Sequence, residues 1–196
     1  MKVFISPGND KLGKIPNFSF PPIISCNPDA PCIQKGCYAV KILRYSRTAT
    51  AAWLRNWALW QQDGELLMGE IYLWLKQNHP KRFRWFVAGD IPSPRFLSSM
   101  CTLARGFPKT KFLCFTKQHH FFNGGEEIPK NLQIIFSAWP GWVSNLAPNM
   151  SKRFRIAWMQ DGTETRVPKD AKMCGGSCES CSSCFLPGPD VVFHQH

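Results

Sequence analysis

Between residues 82 and 117 the sequence alternates in a way that few folds accommodate. "RFRWFVAGD" reads as a strand, "SPRFLSSMCTLARGF" as a helix and "TKFLCFTK" as a second strand. Ser93 stands where an N-cap is expected and Pro94 at the first helical position. Two strands joined through a helix run parallel, because a tight hairpin cannot make that connection. "LQIIFSAW" and "RFRIAWM" continue the series and "PPIIS" precedes it, predicting four or five strands before the C-terminal tail. The expected class is α/β, either an open parallel sheet or an incomplete TIM-barrel-like one. A full eight-stranded barrel typically takes about 250 residues, and this chain has 196.

The remaining segments fit one domain. "YAVKILRYSRTATAAWLRNWALWQQ" places Trp53, Trp57 and Trp60 at helical spacing, which predicts a helix with its tryptophans turned to the core. Gly64 breaks it, and "ELLMGEIYLWLKQN" predicts a second helix stopped at Pro80. "HHFFNGG" reads as a helical turn or loop. With no internal repeat, residues 1–196 read as a single domain whose cysteine-rich tail, 172–196, closes the barrel mouth. A content of 15 Phe and 8 Trp opposes disorder. "MKVFISPGND" lacks the apolar run of a signal peptide, and no stretch approaches the roughly 18 apolar residues of a membrane span. The expectation is a soluble, cytoplasmic protein.

Parallel α/β sheets carry their sites at the C-terminal ends of the strands. Those ends predict a rim made of Cys26 after "PPIIS", Asp90 after "FVAG", Thr116 and Lys117 after "FLCF", and Ser137 after "IIF". Met159 and Gln160 follow "RIAW". Asp90 and Lys117 are the candidate catalytic groups, as acid–base or substrate-positioning residues.

Seven of the nine cysteines fall into two groups. Cys26, Cys32 and Cys37 have the spacing C-x5-C-x4-C, and Cys174, Cys178, Cys181 and Cys184 the spacing C-x3-C-x2-C-x2-C. A reducing compartment and an odd count oppose a disulfide framework. Compact runs separated by two or three residues resemble iron–sulfur ligation more than the paired knuckles of a zinc ribbon. The expected cofactor is therefore an iron–sulfur cluster, most simply [4Fe–4S], in one or two copies, with zinc the alternative for the tail. Three thiolates hold three corners of such a cluster and leave one iron open. Both groups are expected on the same rim, as two centres or as one shared cluster. Cys101 in "SMCTLA" and Cys114 in "KFLCFT" read instead as small core residues.

The net charge of +11 fits either an anionic partner, a phosphorylated small molecule or nucleic acid, or a solvated basic surface. The nucleic-acid reading would place Arg44, Arg47, Arg55, Lys152, Arg153 and Arg155 on phosphates and use exposed tryptophans for stacking. His194 and His196 are candidate extra ligands or parts of a frayed terminus. A small-molecule substrate or an electron donor are the other partners expected.

"CYA" opening a long helix, "RNWAL", "RWFVAGDIPSPRFL", "PKTKFLCFTK" and "CESCSSCFLPGPDVVFHQH" together resemble the bacteriophage gene product 88 domain family from about Cys26 onward. That family is similar in turn to the radical S-adenosylmethionine (SAM) superfamily. The resemblance implies a viral or prophage protein working in the host cytoplasm, with an incomplete barrel, an iron–sulfur centre and SAM as a conceivable cofactor. The pattern departs from radical SAM enzymes in one respect. Their C-x3-C-x2-C follows the first strand, whereas here it lies in the tail and is followed by Cys184. A fully ligated cluster has no open iron for SAM. The nearest glycine-rich text, "GGEE" at Gly124 to Glu127, falls in an expected loop.

Overall fold

The computed structural model describes residues 2–122, 127–142 and 154–194. Lys152, Arg153, His196 and residues 124–126 lie outside them. The architecture is a seven-stranded, all-parallel open sheet in the order β1-β2-β3-β4-β5-β7-β6. The strands are β1 (Asn17–Phe18), β2 (Arg82–Trp85), β3 (Lys111–Thr116), β4 (Leu132–Ala138), β5 (Arg155–Gln160), β6 (Lys172–Met173) and β7 (Val191–His194). The helices are α1 (Pro31–Lys35), α2 (Tyr38–Tyr45), α3 (Arg47–Gln62), α4 (Gly64–Asn78) and α5 (Pro94–Gly106). The sheet does not close into a barrel, because β1 and β6 remain its edges.

Strand order follows chain order from β1 to β5. Right-handed crossovers between such neighbours put every connecting helix on one side. Leu59 of α3, Leu67, Ile71 and Leu75 of α4, and Phe96, Leu97 and Met100 of α5 accordingly share one core with Phe83, Trp85, Phe112, Cys114, Ile134 and Phe136. Phe83 and Phe112 are fully enclosed, so truncating either to Ala would cost about 3–5 kcal/mol. Cys101 and Cys114 belong to this core, as their flanking sequence predicts.

Among the described residues no α-helix packs on the opposite face, where the only helical element is the short 3-10 turn Ser183–Phe185. The N-terminal half of that face, at Leu113, Ile135, Ala157 and Val191, is covered by Leu12 and Ile15 of the N-terminal arm and by Phe185, Cys174, Cys178 and Cys184 of the tail. This face is concave at its side chains, which lean together across it. Phe115 on β3 and Phe193 on β7 have β4 and β5 between them, a separation of about 14 Å in a flat sheet, yet their ring centres are 5.6 Å apart.

Local signals hold where the chain is regular. Ser93 Oγ accepts from Phe96 N at 3.2 Å with Pro94 in the first turn of α5. Asp63 caps α4 by accepting from Glu65 N and Leu66 N. Three expectations need correction. The single long helix is two, divided at Ser46, whose side chain caps α3 through Ala49 N at 3.3 Å. The first strand is not "PPIIS" but Asn17–Phe18, since Pro21 and Pro22 have no N–H for a ladder and the chain turns there. The tail contributes strands of its own, with β7 entering the sheet between β5 and β6.

A candidate cysteine site at the strand ends

The loop from β1 to α2 carries Cys26, Cys32 and Cys37 across the C-terminal ends of β1, β2 and β3. It is tied down by its own side chains, which bond backbone groups of the loop and of the strand ends. Ser25 Oγ donates to the Pro21 carbonyl at 2.8 Å and accepts from Asp90 N at 3.2 Å. Asn27 Nδ2 donates to the Lys117 carbonyl at 2.9 Å. Gly89, at φ 75°, permits this approach, because a Cβ there would stand 2.5 Å from Ser25 Oγ and 2.7 Å from the Phe20 carbonyl oxygen. The "GD" that ends the strand motif is thus a glycine needed for contact, followed by the acid that fastens the rim.

Asp90 is 5% exposed and accepts three hydrogen bonds: from Thr116 Oγ1 at 2.7 Å, Lys117 N at 2.7 Å and Ile91 N at 2.8 Å. Burial pushes its carboxyl above the usual range, while those donors and the Lys117 cation pull it back. With both oxygens occupied, Asp90 clamps the ends of β2 and β3 together. Lys117 stands among the thiols, and its cation favours the thiolate at Cys26, Cys32 and Cys37 alike.

The three thiols differ. Burial and then the Asp90 charge raise Cys26 to about 11. Cys32 and Cys37 hydrogen-bond to each other, and the pair divides unequally. The hydrogen bond from Cys32 lowers Cys37 to about 6 against its burial, helped by the backbone N–H groups of Val40 and Ala39, while Cys32 is pushed up. Cys37 is the N-cap residue of α2, which accounts for those amides.

The tail does not share this rim, and the expectation that it closes the barrel mouth is corrected here. Its backbone is held at the other end of the strands. Arg82, the first residue of β2, donates to the carbonyls of Cys178 at 2.9 Å and Glu179 at 3.2 Å. Arg155, the first residue of β5, donates to those of Ser183 at 3.0 Å, Leu186 at 2.8 Å and Pro189 at 2.7 Å. Cys178 N donates to the Lys11 carbonyl at 2.8 Å and Cys174 N to that of Val192 at 2.9 Å. Both groups cannot lie at the strand C-termini, because the chain leaves β6 beside β7 and turns down over the concave face. The four tail thiols still form one neighbourhood: Cys184 is raised to about 11, first by burial and then by Cys174, Cys178 and Cys181. Burial also raises Cys178, while the Ser183 hydroxyl, 3.4 Å away, lowers Cys181.

Among the described residues, no group of three or more His, Cys, Asp or Glu side chains is gathered tightly enough to hold a metal ion without movement. The residues proposed for phosphate contact divide. Arg44, Arg47 and Arg55 are exposed on α2 and α3, whereas Arg155 is engaged with the tail. Trp53 is buried and Trp57 and Trp60 pack against the helical core, so none of the three is a stacking platform. His194 is the last residue of β7. No helix among the described residues is long and apolar enough to cross a membrane. A cleft of about 280 Å³ lies away from the cysteine loop, lined by Ile128, Lys130, Gln133, Phe154, Arg155 and Pro187. Arg155 is already committed there, and the cleft offers little chemistry.

Several residues of the site escape the sequence reading. Tyr38 donates its buried hydroxyl to the Val87 carbonyl while part of its ring stays exposed. Arg82 and Arg84 alternate in "RFRW", a period of two that puts both on the concave face, and that signal was available.

A singly wound, open parallel sheet with a thiol-bearing loop on its strand ends is therefore the class that the fold and site define. The chain belongs to the gene product 88 family, whose model matches residues 5–174. That span includes the first cysteine loop, Asp90 and Lys117 and stops at the first tail cysteine. Among its relatives are the Gene 88 protein of Mycobacterium phage D29, 26% identical over 86% of this chain and 81% of that protein, and the Gene 88 protein of Mycobacterium phage L5, 25% identical with the same coverage. No solved structure matches.

Proposed function

We propose that this phage-family protein binds an iron–sulfur cluster, in the simplest case [4Fe–4S], through Cys26, Cys32 and Cys37, and acts at the strand-end rim on a small substrate or electron partner. The observation that carries the reading is geometric: three cysteines on one loop that Ser25 and Asn27 fasten over the strand ends, at the backbone of Asp90 and Lys117. The donor set suits the group in kind and number: three soft sulfur ligands on one loop, one of them already inclined to the thiolate. Such a cluster would supply one-electron chemistry and an open coordination position.

The chain's own residues would do the rest. Asp90 is a positioning residue that fixes the ends of β2 and β3 and, through its backbone N–H and Ser25, the base of the loop. Lys117 offsets thiolate charge and is the group placed to hold or deliver a proton at Nζ. Cys174, Cys178, Cys181 and Cys184 would hold a second, fully ligated centre, iron–sulfur or zinc, that staples the tail over the sheet. The likeness to radical SAM enzymes rests on sequence resemblance alone, so SAM remains a ligand to assay rather than a premise.

The test is anaerobic isolation with iron, acid-labile sulfide and zinc analysis. Brown protein with iron and sulfide in comparable amounts is expected. Stoichiometric zinc with no sulfide would remove the cluster reading and leave a zinc-stapled binding protein.

A further inference from the structure

The concave face carries a row of cations and rings that the cysteine site leaves unused. The Arg84 guanidinium carbon lies 5.1 Å from the centre of the Phe115 ring. Phe115 meets Phe193 edge to face at 5.6 Å, and Lys11 Nζ stands 5.1 Å from the Phe193 centroid. Neither cation has an acid partner, since the ion pairs among the described residues are Arg95 with Glu65 and Arg166 with Glu164. Arg84 Nε is buried without a hydrogen-bond partner. A guanidinium offers five donors, and burying one of them unpaired is costly unless an acceptor arrives. The Asp90 carboxylate is engaged by Thr116, Lys117 and Ile91, and the group both cations act on is the Cys178 thiol.

We propose that this trough binds a small organic anion, with its carboxylate or phosphate on Arg84, its flat or apolar body against Phe115 and Phe193, and Lys11 as the second cation. The trough is bounded on two sides. The arm and tail fill its N-terminal half, and Tyr38 and the cysteine loop stand at the strand C-termini. Phe115, Ser137 and Phe193 between them are only half-buried. A guanidinium receives a planar oxyanion through two parallel bonds, and ring faces accept a flat apolar group. Ligand bound here would lie on the same face as the tail and extend towards the first thiol loop. The inference concerns side chains on the sheet itself and stands whether or not the thiols carry metal.

Phenyl phosphate and phenylacetate present the two kinds of anion on one ring, and benzyl alcohol is the neutral control. Titrated into the full-length protein as isolated, at least one anion should bind about tenfold more tightly than the alcohol and weaken as salt is raised. Arg84→Gln should reduce that affinity about tenfold while the melting temperature stays within a few degrees. Should that variant fail to fold, Lys11→Gln, on the half-exposed arm, is expected to lose about threefold. Preference between the two anions identifies the acid. Anions that bind no better than benzyl alcohol, or an affinity unchanged in both variants, would overturn the proposal. Inorganic phosphate binding as tightly as phenyl phosphate would overturn the part assigned to Phe115 and Phe193.

Discussion

The two cysteine groups are built by opposite means. In the strand-end loop, the loop's own side chains reach the backbone of the sheet ends: Ser25 Oγ accepts from Asp90 N and Asn27 Nδ2 donates to the Lys117 carbonyl, with the thiols of Cys32 and Cys37 beside each other. In the tail the backbone is what is held, by Arg82, Arg155 and Lys11, while the thiols project into the layer above the sheet or into solvent. The first arrangement tunes individual sulfurs far apart in acidity, which suits a working site. The second fixes the path of a chain, which suits a clasp.

The sharpest way to break this comparison is metal analysis of two variants. Replacing Cys26, Cys32 and Cys37 with Ser should remove about one cluster's worth of metal and leave the tail's portion, with the reverse for the tail set. Loss of all metal from either variant would mean a single shared centre. Asp90→Ala comes next. It strands the Thr116 hydroxyl and the Lys117 and Ile91 amides, at an expected cost of about 3–5 kcal/mol in urea unfolding. A loss below about 1 kcal/mol would show that the carboxylate is not the clamp described.

Arg82→Ala should be milder, at about 1–2 kcal/mol, and local. Limited proteolysis should cut near residues 178–182 while the first loop stays protected. The smallest effect concerns a control outside both groups. His119, packed between Phe136 and Trp142, is lowered to about 4, by burial first and by the Lys117 charge second. The unfolded chain takes up this proton near pH 6.5 and the folded one only near 4. Stability is therefore present above 6.5 and lost as pH falls towards 4, by about 1–2 kcal/mol after allowing for partial exposure. His119→Gln should flatten that part of the pH–stability curve.

What was legible in the sequence was local. Ser93, Pro94, the run "RFRW" and the apolar text of β3 to β5 each carry their instruction within a few residues, and parallel pairing follows from the helix between them. What was not legible depends on distant partners. Asn17–Phe18 and Lys172–Met173 are two-residue strands that exist only because β2 and β7 present edges to them. Asp90 and Lys117 were placed on one rim because they follow strand ends, whereas Cys26 stands there although the strand expected before it, "PPIIS", is a turn. The tail was misplaced because a strand that inserts between two others leaves no mark on its own sequence. Arg155 illustrates the same limit: an arginine at a strand start reads as a free cation until the carbonyls that occupy it are known.

The insertion of β7 also orders events in time. Among the described residues, Lys172–Met173 pairs in the sheet with β7 alone, and β7 seats itself against β5. Residues 174–184 therefore belong to a loop whose two ends are fastened by a single late pairing. Such pairing, between segments far apart in the chain, is the slow part of building a parallel sheet. Until it happens, β5 presents an open edge and the tail thiols are loose on an unclosed loop. Refolding should then show a fast phase in which the helical core quenches its tryptophans, and a slower one in which residues 174–184 acquire protection from alkylation.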